Sequence, residues 1–438
     1  MNVSLGVILG ILIVMIIIMS TGVPIPFALG GSAILAIIFF WDPSGYLSIA
    51  SGIWSTFTSD NFVSIPMFLL MANILQKSGI AEDLYSMLYQ WLGGIRGGLA
   101  MGTVVICAIF AAMCGGGGPA TITMGLIALP SMLKRGYDKY IAIGCIAAGG
   151  VLGIIIPPSI PMVVLAQYCK SVSVGKLFYA GMVPGILCVV IYCSYIAIRC
   201  KINPSLCPAV PKEERVSFKE KILLSKAILA PCIIIFGVLG SIWTGIATPS
   251  EAAGLGAFLS IIVSVAKRKL DWANFRLALR KTMRLVGMVL WILAGAQIFN
   301  YILNYVGIGK LLANFAEGLP GGGATMIIIM MLINFILGML MDDFAVITLT
   351  APLYIPLITA LGINPLWFCM LFILNLQMAF LTPPYGFNLF YMKSVCPKDI
   401  TLPMIYKAII PFVGLQILAL VICAMFPGLC TWLPNMMV

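Results

Sequence analysis

"GIIIPPSIPM", residues 153 to 162, sets two adjacent prolines inside a stretch apolar enough to cross a membrane. A proline in a helix interior removes a hydrogen bond and clashes with the preceding turn, at about 3 kcal/mol or more, and in hydrocarbon the freed carbonyl finds no water. The same interruption returns in "AFLTPPYGFN", residues 379 to 388. Two broken spans require something to satisfy the released backbone groups, and the interval between them organises the rest of the chain.

Of 438 residues, 62% are hydrophobic and 9% charged, against about 25% charged in a soluble domain. With a mean hydropathy of +1.12, the sequence reads as an all-α polytopic membrane protein. No Lys or Arg precedes the first apolar run and no small-residue cleavage pattern follows it, so the N-terminal segment is expected to be a retained span. The thirteen cysteines lie at irregular spacing in apolar segments, without His or a Cys-x-x-Cys pair, and read as small buried residues.

Apolar runs of spanning length fall near residues 4 to 22, 27 to 41, 61 to 77, 140 to 169, 178 to 199, 223 to 243, 247 to 266, 285 to 305, 364 to 392 and 403 to 427, those at 140 and 364 being broken. That gives ten crossings. Two longer apolar stretches, near 97 to 133 and 323 to 361, have glycine-rich or polar centres and read as re-entrant helical hairpins. With the N-terminus outside, all basic residues but Lys170, Lys176 and Lys310 among the 25 fall on the inner side, as the positive-inside rule asks. Both termini are then expected in the periplasm. The segment "KRKLDWANFRLALRKTMR", residues 267 to 284, reads as an amphipathic helix lying on the anionic inner leaflet, and not as a nucleic-acid arm.

Pro157 and Pro158 recur as Pro383 and Pro384, Pro130 as Pro356 and Gly136 as Gly362, each after 226 residues. Thr121, Thr123 and Pro184 recur as Thr348, Thr350 and Pro411 after 227. The first hairpin opens inward and the second outward, so the two copies are inverted. Four segments follow: N-terminal scaffold helices (1–60); a first repeat of arm helix, hairpin, broken helix and scaffold helix (61–200); a linker with scaffold helices and the basic amphipathic helix (201–284); and a second repeat (285–438).

Inverted repeats with paired hairpins and broken helices mark secondary transporters, where irregular backbone lines a binding site. Freed carbonyls suit a small cation such as Na+, and half-helix N-termini suit an anion. At the first hairpin tip, "MCGGGGPATIT" (113 to 123), glycines permit the turns and close backbone approach that a carbonyl cage needs. At the second, "MDDFAVITLT" (341 to 350), Asp342 and Asp343 sit in an apolar context, where a carboxylate serves a cation or carries a proton. Thr121, Thr123, Ser159, Thr382, Tyr385 and Asn388 are candidate substrate contacts at similar depth. Glu251, three residues after Thr248 and two after Pro249, reads instead as part of a helix capping box.

"GYDKYIAIGCIAAGGVLGIIIPPSIPMV" (136 to 163), "GIATPSEAAGLGAF" (245 to 258) and "LTPPYGFNLF" (381 to 390) resemble the large membrane subunit of tripartite ATP-independent periplasmic (TRAP) transporters, from about residue 25 onward. The resemblance implies an elevator-type transporter in the bacterial inner membrane, driven by Na+. It also implies a small four-helix membrane subunit and a periplasmic binding protein that delivers an organic acid. By the same resemblance a first Na+ site lies between Gly115, Gly116, Gly117 and Gly118 and the break at Gly153, Ile156 and Pro157. A second lies between Gly338, Asp342 and Asp343 and the break at Ala379 and Thr382. The first tip departs from the family in carrying glycines where serines are usual. No nucleotide-binding loop or catalytic constellation is visible, so no enzyme is expected; a proton-coupled transporter or a channel is the alternative.

Overall fold

The computed structural model describes residues 5–40, 44–214, 216–308, 318 and 320–437, and among these it is helical throughout. The first repeat runs from an arm helix, Asp60–Leu75, through a hairpin of Gly98–Cys114 and Gly117–Lys134. A helix broken between Lys139–Gly150 and Ile160–Tyr168 follows, then the long helix Val174–Ile202. The second has the arm Trp272–Tyr305, a hairpin of Gly322–Leu340 and Asp343–Ala360, a helix broken between Pro365–Phe380 and Phe387–Val395, and Leu402–Met425.

Equivalent local chemistry starts each broken helix. Asp138 accepts from the Ile141 N–H at 3.0 Å, and Asn364, 226 residues on, accepts from Leu366 and Trp367 at 2.9 and 3.3 Å. These caps satisfy amides that a helix leaves without partners. Just before them Gly136 and Gly362 take φ of +76° and +67°, a region nearly closed to other residues, and turn the chain out of each hairpin. Both Pro-Pro bonds, 157–158 and 383–384, are cis.

The repeats interlock. Phe387–Val395 packs on the second limb of the first hairpin, and Ile160–Tyr168 packs on the second limb of the second hairpin, so each broken helix finishes against the other copy. Around the two arm helices stand Leu5–Ser20, Ile25–Phe40, Ser44–Phe57, Leu229–Trp243 and Pro249–Ala266. The helix Val174–Ile202, expected with that scaffold, packs on Gly98–Cys114, Pro365–Phe380 and Leu402–Met425.

Seven described helices are long and apolar enough to cross a bilayer, two of them the limbs of the second hairpin. Three elements differ from expectation. Residues 44 to 57, placed among the N-terminal scaffold helices but not given a span of their own, form a helix whose Gly52 lies so close to the Tyr301 ring that a Cβ would overlap it. The connector after the first arm contains Ile80–Leu92, bent by 59° from that arm. The basic segment is no separate interfacial helix. Asp271 caps it through the Asn274 N–H at 2.6 Å, and from Trp272 it runs without a break into the arm. No proline or glycine intervenes between residues 272 and 284 to end it. Lys310 lies outside the described residues.

The linker after residue 202 is strapped over the base of the first hairpin. Its Cys207 and Leu206 carbonyls accept from Gly97 and Asp138 at 3.3 and 2.8 Å, and Val210 donates to Gly93 at 2.8 Å. Glu214 then pairs with Arg135 at 2.7 Å and accepts from the Tyr89 hydroxyl at 2.8 Å, with Arg135 over the Tyr89 ring. Arg135 and, after it, Tyr89 hold the Glu214 carboxyl below the usual carboxylate range. A depressed carboxyl holds the strap fully above the ordinary glutamate pKa of about 4.3 and releases it as pH falls through the lower value. The protection factors of the Val210 and Glu214 amides, which remove the intrinsic slowing of exchange by acid, are therefore expected to fall on acidification in the native chain. In Glu214→Gln they should be low already at pH 7, and equal protection in the two proteins across this range would rule the pairing out.

Candidate functional site: two hairpin tips against two helix breaks

The first tip is built by glycine. Gly115 ends its limb at φ +65°, Gly116 is extended, and the second limb starts at Gly117. This lets backbone meet backbone: the Gly115 carbonyl accepts from the Ile160 N–H at 3.0 Å, and a Cβ on Gly153 would sit 2.6 Å from the Gly116 oxygen. Gly117 faces Val151, and a Cβ on Gly118 would lie 2.8 Å from the Tyr391 ring. The tip glycines and Gly153 are thus brought together as the sequence suggests. Ile156 closes a last turn by donating to the Leu152 carbonyl at 2.8 Å and turns its side chain toward Gly185.

The second tip repeats the plan with acids. Gly338 is held against Ala379, where a Cβ would stand 2.6 Å from the alanine methyl, and the Gly386 N–H donates to the Met339 carbonyl at 3.3 Å. Its donor is the counterpart of Ile160, 226 residues earlier, while its acceptor stands two residues before Met341, the counterpart of Gly115. Asp342 occupies the place of Gly116 and caps the second limb through the Ala345 N–H at 3.0 Å. Asp343 is 9% exposed, accepts from the Phe344 N–H at 3.1 Å, and has no ion-pair partner among the described residues. A buried carboxylate beside carbonyl-rich broken backbone is a hard oxygen donor set of the kind an alkali cation takes.

At the breaks Ser159 donates at 2.6 Å to the Ile154 carbonyl, which Pro158 releases, whereas Thr382 donates at 2.8 Å to the Met378 carbonyl, which also accepts from the Leu381 N–H at 3.1 Å. Thr121 and Asn388 are fully buried and bonded to each other at 2.7 Å, whereas Tyr385 is 53% exposed beside Phe390. Thr123 lines a cavity of about 400 Å³ between the first hairpin and the arm helices, with Lys77, Lys269 and Lys281 on its other wall. Glu251 accepts from the Thr248 N–H at 2.8 Å in a complete capping box.

Sequence reasoning passed over Tyr391, which touches Gly118, and the buried amides on the first half of the second broken helix. Asn375 accepts from Asn334 of the second hairpin at 3.2 Å, and Gln377 is fully buried with neither amide atom partnered among the described residues. The signal was available in "NLQ", residues 375 to 377, two polar residues inside an otherwise apolar run.

The overall fold is shared with solved structures. The chain superposes on the YdaH transporter of Alcanivorax borkumensis with a TM-score of 0.61 at 13% identity over 90% of both chains. The family described as the DctM component of tripartite ATP-independent periplasmic transporters covers residues 12–429. The chain belongs to that family. It is similar to the C4-dicarboxylate TRAP transporter large permease protein DctM of Vibrio cholerae, at 32% identity over 96% of this chain and 95% of the relative. It is also similar to the isethionate TRAP transporter permease protein DctMQ of Oleidesulfovibrio alaskensis, at 31% over 93% of this chain and 63% of that longer relative. As a TRAP large permease it is a multi-pass bacterial membrane protein and a transport subunit, not an enzyme.

Proposed function

We propose that the chain imports a small organic anion, a carboxylate or sulfonate, coupled to Na+ bound at the two tip-and-break sites. The observation that carries this reading is Asp343: a buried carboxylate with no cationic partner among the described residues, on the tip whose Gly338 and Met339 meet the second break. Na+ there offsets the carboxylate charge and draws tip and break together. The helix N-termini that start at Gly117, Asp343, Ile160 and Phe387 then offer amides to an anion whose charge the cation has balanced. Without the cation the anion meets an uncompensated carboxylate, so the two bind together.

The interlocked hairpins and broken helices form the body that moves, the scaffold and arm helices the part that stays, in an elevator motion. TRAP family membership supports a small four-helix membrane subunit against the scaffold and a periplasmic binding protein that delivers substrate. The C4-dicarboxylate and isethionate named for the relatives support carboxylates and sulfonates as the anion class proposed here. The charge asymmetry supports both termini in the periplasm.

The test is uptake of labelled C4-dicarboxylates and sulfonates into proteoliposomes containing this chain, the small subunit and the binding protein. Saturable uptake that needs an inward Na+ gradient is expected. Accumulation driven by a pH gradient in Na+-free buffer would replace Na+ by a proton on Asp343, and non-saturating flux would make the chain a channel.

A further inference from the structure

Thr121 and Asn388 carry a polar connection across the interlocked body, between residues 267 apart in sequence. The Thr121 hydroxyl donates to Asn388 Oδ1 at 2.7 Å, and Asn388 Nδ2 donates to the Ala147 carbonyl at 2.8 Å. One chain of two bonds thereby ties the second limb of the first hairpin, the first half of its own broken helix, and the second half of the other broken helix. Both side chains are fully buried, where a polar group must be bonded or cost the fold heavily. Gly150 makes room for it, since a Cβ there would fall 1.8 Å from the Thr121 oxygen. Asn388 also lies two residues beyond Gly386, whose N–H holds the Met339 carbonyl of the second tip.

The inverted copy lacks this connection. Met162 stands for Asn388 at a spacing of 226, and Thr348, the counterpart of Thr121 at 227, finds no such partner: no hydrogen bond joins Ile160–Tyr168 to Asp343–Ala360 among the described residues. The hydroxyls of Thr348 and Thr350 bond carbonyls of their own helix, those of Ala345 and Val346. The polar bridge is therefore not a by-product of duplication.

We propose that Thr121 and Asn388 are positioning residues that weld the first hairpin to the stretch holding the second tip, so that occupation of one tip-and-break site is felt at the other. They touch no substrate. The coupling of the sites rests on the cation reading above; the weld itself does not.

The experiment uses the full chain reconstituted with the small subunit, with Na+ as the probe and choline holding ionic strength constant. Hydrogen exchange is read at residues 115–125 and 387–395, and thermal stability is read against Na+. Thr121→Val should raise exchange in both segments together by about ten- to a hundredfold, the range expected for losing a buried hydrogen bond. It should leave Asp343–Ala360 unchanged and make a cooperative Na+ curve hyperbolic. Thr121→Ser, which keeps the hydroxyl, should behave as the native chain. Asn388→Asp keeps the acceptor but loses the donor to Ala147, and serves if the valine variant fails to fold; it should loosen 387–395 in the same way. Loosening without any Na+ response in the native chain leaves the weld standing and removes the cation reading. Native exchange in both the valine and aspartate variants, or equal effects of valine and serine, overturns the weld.

Discussion

Asp343→Ala is expected to raise the Na+ concentration that half-saturates uptake by at least about tenfold, the range for losing a charged ligand in a buried site, and with a weak gradient to abolish uptake. Asp342→Asn should leave the Na+ dependence close to native. The two neighbours differ in what their carboxylates do. Asp342 is a helix cap on the Ala345 amide, a duty asparagine performs equally well, while among the described residues Asp343 accepts from the adjacent Phe344 amide and from no side chain. Uptake measured against Na+ in both variants decides it. Native dependence in Asp343→Ala would move the cation wholly onto backbone carbonyls.

Gly153→Ala is the other large effect. The added methyl carbon would lie 2.6 Å from the Gly116 oxygen and 2.8 Å from its carbonyl carbon, both backbone atoms that no rotamer change can move aside. The first tip must back away from the break by a sizeable fraction of an ångström, and displacements near 1 Å in positioned sites cost on the order of a hundredfold in rate. Uptake should fall by about that factor while the protein still reaches the membrane. Gly240→Ala, where a methyl meets nothing within 4 Å, is the control and should transport normally. Equal uptake by the two variants would contradict the close approach of tip and break.

What the sequence made legible was the chemistry that duplication leaves in fixed places. Pro157 and Pro383 mark the breaks, Gly136 and Gly362 the turns, and all four do in the structure what their backbone preferences require. The tips were legible for the same reason, because glycine and buried acid are costly choices that packing alone does not explain. Partnership across the chain was not. Thr121 and Asn388 are 267 residues apart, and each alone looks like a free polar group facing a cavity; only their adjacency shows the bond. The helix at Ser44–Phe57 was hidden by serines and glycines that dilute its apolar signal, although its helical form is held by packing on the second arm. The basic segment misled because an amphipathic pattern does not say where the helix ends. Residues 272 to 284 have the face of a surface helix and the continuity of a span.

That continuity changes what the second arm can do. A helix of 34 residues is about 51 Å long at 1.5 Å per residue, well beyond a hydrocarbon layer of about 30 Å, and no proline interrupts it. Its first turns carry Arg276, Arg280, Lys281 and Arg284, and farther along it packs on the second limb of the second hairpin. Headgroup charge therefore acts on one end of a rigid rod, and each degree of rotation about that end displaces the other by about 0.9 Å over such a length. An arm anchored in this way gives the hairpin that carries Asp343 a fixed rail, set by the bilayer's thickness and surface charge, to pack against.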